Sequence, residues 1–254
     1  MRIFITGATS GIGRELALQY AAAGVTLGLA GRRTERLEEA AAEVRERGGV
    51  AHVYPLDVAD REACARVAGE FVEAAGGIDI VIANAGMGCV DRLETGDATP
   101  QAKLLTVNVL GVVHTLIPFI PTMVEQRSGQ LVAVASVAGF RAMPWHTAYC
   151  TSKAAVQALM EGYGMQLEQH GIRLTTINPG FVVSEITADN DFSMPFLMTT
   201  EKACRKIRRA IAKKRRVFTF PWQMAWIGIP LMRLAPRWLL LRMAPGPTAK
   251  KSAS

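Results

Sequence analysis

Short apolar runs alternate with longer stretches of helical periodicity along most of the chain. RIFIT (2–6) is followed by GRELALQYAAAG, TLGLAG (26–31) by TERLEEAAAEVRERGG, and AHVYPLDV (51–58) by REACARVAGEFVEAAG. The series continues with IDIVIANAG (78–86), a helical stretch from about Pro100 to Arg127, and GQLVAVAS (129–136). A helix running to about His170 and the strand IRLTTINPG (172–180) close it. Strands alternating with helices of this length predict parallel βαβ units. IDIVIAN and QLVAVAS are apolar at nearly every position instead of every second one, the pattern of strands buried on both faces. The expected fold class is α/β: one domain built on a doubly wound parallel sheet with helices on both faces.

In such sheets ligands bind beyond the carboxyl ends of the strands. This chain concentrates its turn residues there: TGATSGIG, GRR, LDV, NAG, Ser136 and NPG. Gly7, Thr9, Ser10, Gly11, Ile12 and Gly13 lie between a strand and a helix. Glycines in that context let backbone approach a pyrophosphate at the positive end of a helix. The end of the second strand discriminates between dinucleotides. A carboxylate there would accept hydrogen bonds from the adenosine ribose, but Ala30-Gly31-Arg32-Arg33 offers none before Glu35. An arginine can instead clamp a ribose 2′-phosphate. NADP(H) is therefore the expected cofactor, with Arg32 as the first contact and Arg33 supporting it. Tyr149 and Lys153 stand four residues apart, which on a helix stacks them on one face. Such a pair is common by chance; its chemical reading is a phenol whose ionised form a neighbouring ammonium favours.

Composition adds limits. The 254 residues, half of them hydrophobic, suffice for one large core. The opening MRIFITGATSGIG runs straight into a strand and a turn, so no secretory signal is expected. Cys64, Cys89, Cys150 and Cys204 have neither metal-ligand nor disulfide spacing, and His114 and His146 lack a metal-binding pattern. A reduced, cytoplasmic setting and no metal are expected. Charge is divided unevenly: all 22 acidic residues lie at or before Glu201, leaving residues 1–201 at −7 and residues 202–254 at +14.

Several of these motifs, in this order, resemble the short-chain dehydrogenase/reductase family over residues 1 to about 185. The turn formed by Gly7, Gly11 and Gly13 has the family's T-G-x-x-x-G-x-G spacing. Leu56-Asp57-Val58 matches its adenine-contacting strand end, and Asn84-Ala85-Gly86 its N-A-G turn, although Ala83 replaces a frequent second asparagine. Pro179-Gly180, Val182 and Ser184 match the turn after the sixth strand, with Ser184 where a threonine is usual. Asn108, Ser136, Tyr149 and Lys153 fall on the catalytic tetrad. The resemblance implies a Rossmann-type fold and hydride transfer at a carbonyl or alcohol carbon. Tyr149 would be the general acid/base, with Lys153 holding the nicotinamide ribose and lowering the phenol pKa. Ser136 would hydrogen-bond the reacting oxygen, and Asn108 would order a proton-relaying water. It also implies at least a homodimer through the 100–127 and 152–170 helices, with a tetramer open.

Met87, Cys89, Ser136, Phe140, Met143, Trp145 and Phe192 follow the expected catalytic turns and are the candidate substrate pocket. Most are apolar and two are adaptable methionines, so a hydrophobic ketone or alcohol is expected. The loop from Ser184 to Thr200 is expected to close over the site. We read 1–200 as the dinucleotide-binding and catalytic part and 201–245 as a basic helix plus an apolar, tryptophan-rich extension of the same domain. Residues 246–254 are expected to be disordered. Residues 202–216 carry nine basic side chains, and the following 16 residues, 217–232, carry no charge. That stretch is too short and proline-broken to span a bilayer. It either packs on the domain or a second subunit, or makes a peripheral contact with the inner face of a membrane. No nucleic acid is expected as partner, because no recognition motif accompanies the basic run. Two other functions stand beside the leading one: reduction of a long-chain ketoacyl or ketosphingoid lipid at a membrane, and a catalytically silent cofactor-binding regulator.

Overall fold

The computed structural model describes residues 1–188 and 194–243. Its strands are β1 (Arg2–Thr6), β2 (Thr26–Gly31), β3 (Val50–Pro55), β4 (Ile80–Ala83), β5 (Gly129–Val134), β6 (Ile172–Pro179) and β7 (Val217–Phe220). They form one parallel sheet in the order β3-β2-β1-β4-β5-β6-β7. The strand order reverses between β1 and β4, which opens a crevice at their carboxyl ends.

Strand alternation sends consecutive residues to opposite faces, and both faces are covered, so apolar side chains occupy every position. Ile3, Ile5, Leu27 and Leu29 pack with Leu16 of helix α1 (Gly11–Tyr20), Leu37 of α2 (Thr34–Glu46) and Ile207 of the Thr200–Ala212 helix. Phe4, Val81 and Leu131 face the other way. They meet Phe71 of α3 (Arg61–Ala75), Phe119 of the Thr99–Gln126 helix and Val156 of the Thr147–Leu167 helix. Phe4 lies 5.4 Å from Phe71 and 5.0 Å from Phe119, centroid to centroid. Each such fully buried side chain contributes roughly 1.5–3 kcal/mol.

The 202–216 basic run resolves into an amphipathic helix. Ala203, Cys204, Ile207, Ala210 and Ile211 are buried against the sheet, while Lys202, Arg205, Lys206, Arg208 and Arg209 are exposed. The helix stops at Ala212. The next apolar residues then add an edge strand, β7, beside β6, with Thr176 opposite Val217 and Pro179 opposite Phe220. The sequence pattern did not single out this strand, since four residues leading into Pro221 are too few for a clear alternation. The Thr99–Gln126 helix is long and apolar enough to cross a membrane by composition. In the fold it buries Leu104, Val112, Leu116, Phe119 and Met123, and exposes Leu105, Leu110 and Ile117. Asp79 pins the start of the sheet, accepting from the Arg2 backbone at 2.7 Å and from its guanidinium at 2.6 Å.

Candidate active site

The turn after β1 is built so that only glycine fits. Gly7 has φ +68°, and a Cβ on Gly13 would lie 2.2 Å from the Gly7 carbonyl oxygen and 2.5 Å from Asn84 Nδ2. Asn84, at the end of β4, fastens this turn across the crevice. Its Nδ2 donates to Thr6 O at 3.1 Å and Gly7 O at 3.2 Å, and its backbone N–H donates to Thr6 Oγ1 at 3.2 Å. The first helix therefore starts against the crevice, with its N–H groups directed into it.

A cavity of about 370 Å³ opens there. Gly7, Thr9, Ser10, Gly11, Ile12, Arg32, Arg33, Asp57, Val58, Asn84, Ala85 and Gly86 line one part of its wall. Ser136, Tyr149, Lys153, Pro179, Gly180, Val182 and Ser184 line the rest. Gly13 is behind the wall, where its missing side chain lets the turn close. Thus the candidate dinucleotide residues and three of the four candidate catalytic residues share one space. The glycine backbone of the β1 turn and the side chains of Arg32 and Arg33 belong to the same wall.

The arginine end is asymmetric. Arg33 donates to Thr9 Oγ1 at 2.9 Å, to Ser10 Oγ at 2.9 Å and, through both terminal nitrogens, to Glu185 at 3.0 Å. Ser10 Oγ also donates to Glu185 at 2.9 Å. The Arg33 fork holds the Glu185 carboxyl below the usual range. Arg32 lines the same wall and has no hydrogen-bond or ion-pair partner among the described residues. Sequence reasoning ranked Arg32 first, but Arg33 is the one that already grips an anionic group beside the glycine turn. Glu185 was not anticipated, because its partners are 152 and 175 residues away.

At the other end, Lys153 is buried and its Nζ donates to Val134 O at 3.0 Å, 5.6 Å from the centre of the Tyr149 ring. Burial lowers its pKa to about 8. Burial raises the Tyr149 phenol, with a hydrogen bond to Ser136 pulling the other way. Burial outweighs that hydrogen bond, so the net shift of this phenol is upward. A lysine lowered in the folded state keeps its proton longer in the unfolded one, so stability rises with pH between about 8 and its ordinary 10.5. Relative to Lys153→Met, the wild type should gain about 1 kcal/mol per pH unit from about pH 8 to 10. Urea unfolding of both proteins across that window checks this; a flat or falling difference would contradict it.

Asn108 is fully buried in a π-helical turn, Thr106–Leu110, a distortion frequent at functional sites. Its Oδ1 accepts from Met87 N at 2.8 Å, and its Nδ2 donates to Met87 O at 2.9 Å and Ser152 Oγ at 3.1 Å. Asn108 thus lies behind the wall and ties the residue after the NAG turn to the tyrosine helix. Three further residues take part in this arrangement and were missed by the sequence reading. Ser152 donates to Tyr149 O at 2.7 Å. Gln157 donates to Ser136 O and Asn178 Oδ1, both at 3.0 Å. Asp91, 3% exposed, accepts from the N–H groups of Thr147 and Ala148, capping the helix from a loop 56 residues upstream. No local spacing announces these partners.

The substrate residues are less unified. Met87 and Ser136 line the main cavity; Cys89, Phe140, Met143 and Trp145 do not. Met143 instead lines a second cavity of about 290 Å³ with Arg141, Pro144, Arg237 and Leu241. Phe140 lies under the Arg233 guanidinium at 5.4 Å. Trp145 takes φ +65°, and its carbonyl accepts from Asp91 N at 2.8 Å. Phe192 lies outside the described residues. Cys150, beside the tyrosine, is buried and its thiol pKa is raised by that burial.

Comparison with known proteins agrees with this fold. Residues 1–193 match the family described as short chain dehydrogenase. An uncharacterised oxidoreductase of Myxococcus xanthus is 40% identical over 221 residues, 87% of each chain. The solved 3-ketoacyl-ACP reductase of Sinorhizobium meliloti superposes with a TM-score of 0.79 at 29% identity, covering 87% of this chain and 97% of that one. The alcohol dehydrogenase of Thermococcus sibiricus, solved with 5-hydroxy-NADP, gives 0.77 at 26% identity over 86% and 95%. The chain belongs to the short-chain dehydrogenase/reductase family and is an oxidoreductase of that family.

Proposed function

We propose that this oxidoreductase uses NADP(H) to interconvert a hydrophobic ketone and its secondary alcohol, with Tyr149 as general acid and base. The observation that carries this reading is one continuous cavity with Arg33 at one end and Ser136, Tyr149 and Lys153 at the other. A bound nicotinamide supplies the hydride for reduction or accepts it in oxidation. Tyr149 gives its phenolic proton to the carbonyl oxygen, or takes one from the alcohol. Ser136 Oγ hydrogen-bonds the same oxygen as charge develops on it. Lys153, its ammonium 5.6 Å from the centre of the Tyr149 ring, would hold the nicotinamide ribose. Asn108 keeps Met87 and the Tyr149 helix in register. The main cavity's Met87 and Val107 support an apolar substrate. Incubation with NADPH and a panel of alkyl and aryl ketones, followed by loss of NADPH absorbance, tests the reaction class.

Arg33 and Ser10 are the proposed 2′-phosphate contacts, and Glu185 is their competitor in the unliganded protein. Arg33→Ala should weaken NADPH binding roughly 10- to 100-fold and leave NADH binding nearly unchanged, the range expected for a charged hydrogen bond. Glu185→Gln should tighten NADPH binding several-fold, because it frees the Arg33 fork. Fluorescence titration with both cofactors reads both variants; equal loss of NADH and NADPH in Arg33→Ala would remove the phosphate assignment.

A homodimer through the Thr99–Gln126 and Thr147–Leu167 helices belongs to the same reading. Leu105, Leu110, Ile117 and, at 74% exposed, Met165 form apolar surface on those helices.

A further inference from the structure

We propose that the two C-terminal helices, Met224–Leu234 and Arg237–Met243, seat the protein on an anionic bilayer surface beside the substrate end of its cavity. The first observation is exposure. Leu234 is 84% exposed, Trp226 80%, Trp222 and Leu231 63%, Trp238 60% and Leu241 58%. These six large apolar side chains, exposed within 20 residues, are the composition that interaction surfaces show, and tryptophan favours the boundary between hydrocarbon and water. The helices have 11 and 7 residues, far short of the ~20 needed to span, so they lie in the interface.

The second observation is charge. No acidic residue follows Glu201, and Arg233, Arg237 and Arg242 are interleaved with the exposed apolar side chains. Each basic residue near an anionic surface tightens binding about fivefold. The same charge disfavours a second copy as the occupant. A symmetric dimer places the same patch on itself, which would bring these arginines against their own copies with no carboxylate in the segment to offset them.

The third observation is position. Arg141 donates to Ala235 O at 3.4 Å, and Arg233 donates to Phe140 O at 3.5 Å and covers the Phe140 ring. The helices therefore rest on the loop that follows Ser136. The 290 Å³ cavity between that loop and Arg237, Leu240 and Leu241 faces the same region. An apolar carbonyl substrate dissolved in the bilayer would meet the protein next to Tyr149. This consequence rests on the proposed ketone chemistry; the membrane seat does not.

The test is co-sedimentation of the full chain with phosphatidylcholine vesicles, with and without phosphatidylglycerol, together with tryptophan emission. Binding should be about tenfold or more tighter to the anionic vesicles, weaken with salt, and shift the emission to the blue. Trp226→Ser/Leu234→Ser/Trp238→Ser should lower it by at least about tenfold. NADPH titration of that variant shows whether it is folded, and Arg242→Gln, a single exposed change, gives a second reading of the charge contribution. Equal binding to neutral and anionic vesicles, or an unchanged triple variant, would overturn the proposal. So would indifference to vesicles together with a dimer mass that the triple variant converts to monomer, since a second copy would then cover the face. Failure of NADPH to bind would strike the cofactor reading alone and leave the vesicle result standing.

Discussion

Tyr149→Phe leaves NADPH affinity unchanged and lowers kcat/KM by about 10²–10⁴, the usual worth of a positioned general acid. The substitution removes one oxygen from a half-buried ring, with its hydrogen bond to Ser136, and leaves the other contacts that hold the helix. That helix is kept in place by Asp91 at its N-terminus, by Asn108 donating to Ser152 Oγ, and by Gln157 donating to Ser136 O. Stability should therefore change little, and the loss should appear in kcat. The pH profile is informative. Burial raises the phenol, so oxidation, which needs the ionised form, should rise with pH in the wild type and be flat in the variant. Comparable turnover in Tyr149→Phe would remove the acid–base assignment. It would also favour the other class of function, a cofactor-binding regulator with no chemistry of its own.

Gly13→Ala abolishes cofactor binding and destabilises the domain by about 1–3 kcal/mol or more. The reason is steric. The new methyl would stand 2.2 Å from the Gly7 carbonyl oxygen and 2.5 Å from Asn84 Nδ2, and the first of these is backbone that cannot swing aside. Relief requires moving the β1 turn or the start of α1, and both carry N–H groups that face the cavity. Breaking the Asn84 bonds to Thr6 and Gly7 would also loosen the β1 turn from the end of β4. Urea denaturation and NADPH titration of the variant measure the two effects. Wild-type stability together with wild-type affinity would show that the turn has slack the structure does not display.

How much of this was legible beforehand follows the range of the interactions. The parallel sheet was readable because apolar runs buried on both faces leave no polar alternation, as in IDIVIAN and QLVAVAS. The cavity wall was readable because glycines and polar residues cluster at strand ends, where backbone must approach a ligand. β7 was not, since four residues before Pro221 carry too little pattern. Nor were Asp91 and Glu185, whose partners lie 56 and 152 residues away and share no local spacing with them. The substrate residues fared worst. An apolar loop residue gives no register, so Met87 could be placed on the cavity while Met143 turned toward the C-terminal helices. The basic run shows the opposite limit: its charge is the solvated side of a core helix, and the surface that stands out is the tryptophan-rich one beyond it.

The most direct measurement is a titration of the purified protein with NADPH and NADH, followed by nicotinamide fluorescence. The predicted result is saturable binding of both, with NADPH tighter by roughly 10- to 100-fold in the wild type and the preference lost in Arg33→Ala. Binding of neither would contradict the assignment of the β1–β4 crevice as a dinucleotide site, and tighter binding of NADH would contradict the role given to Arg33.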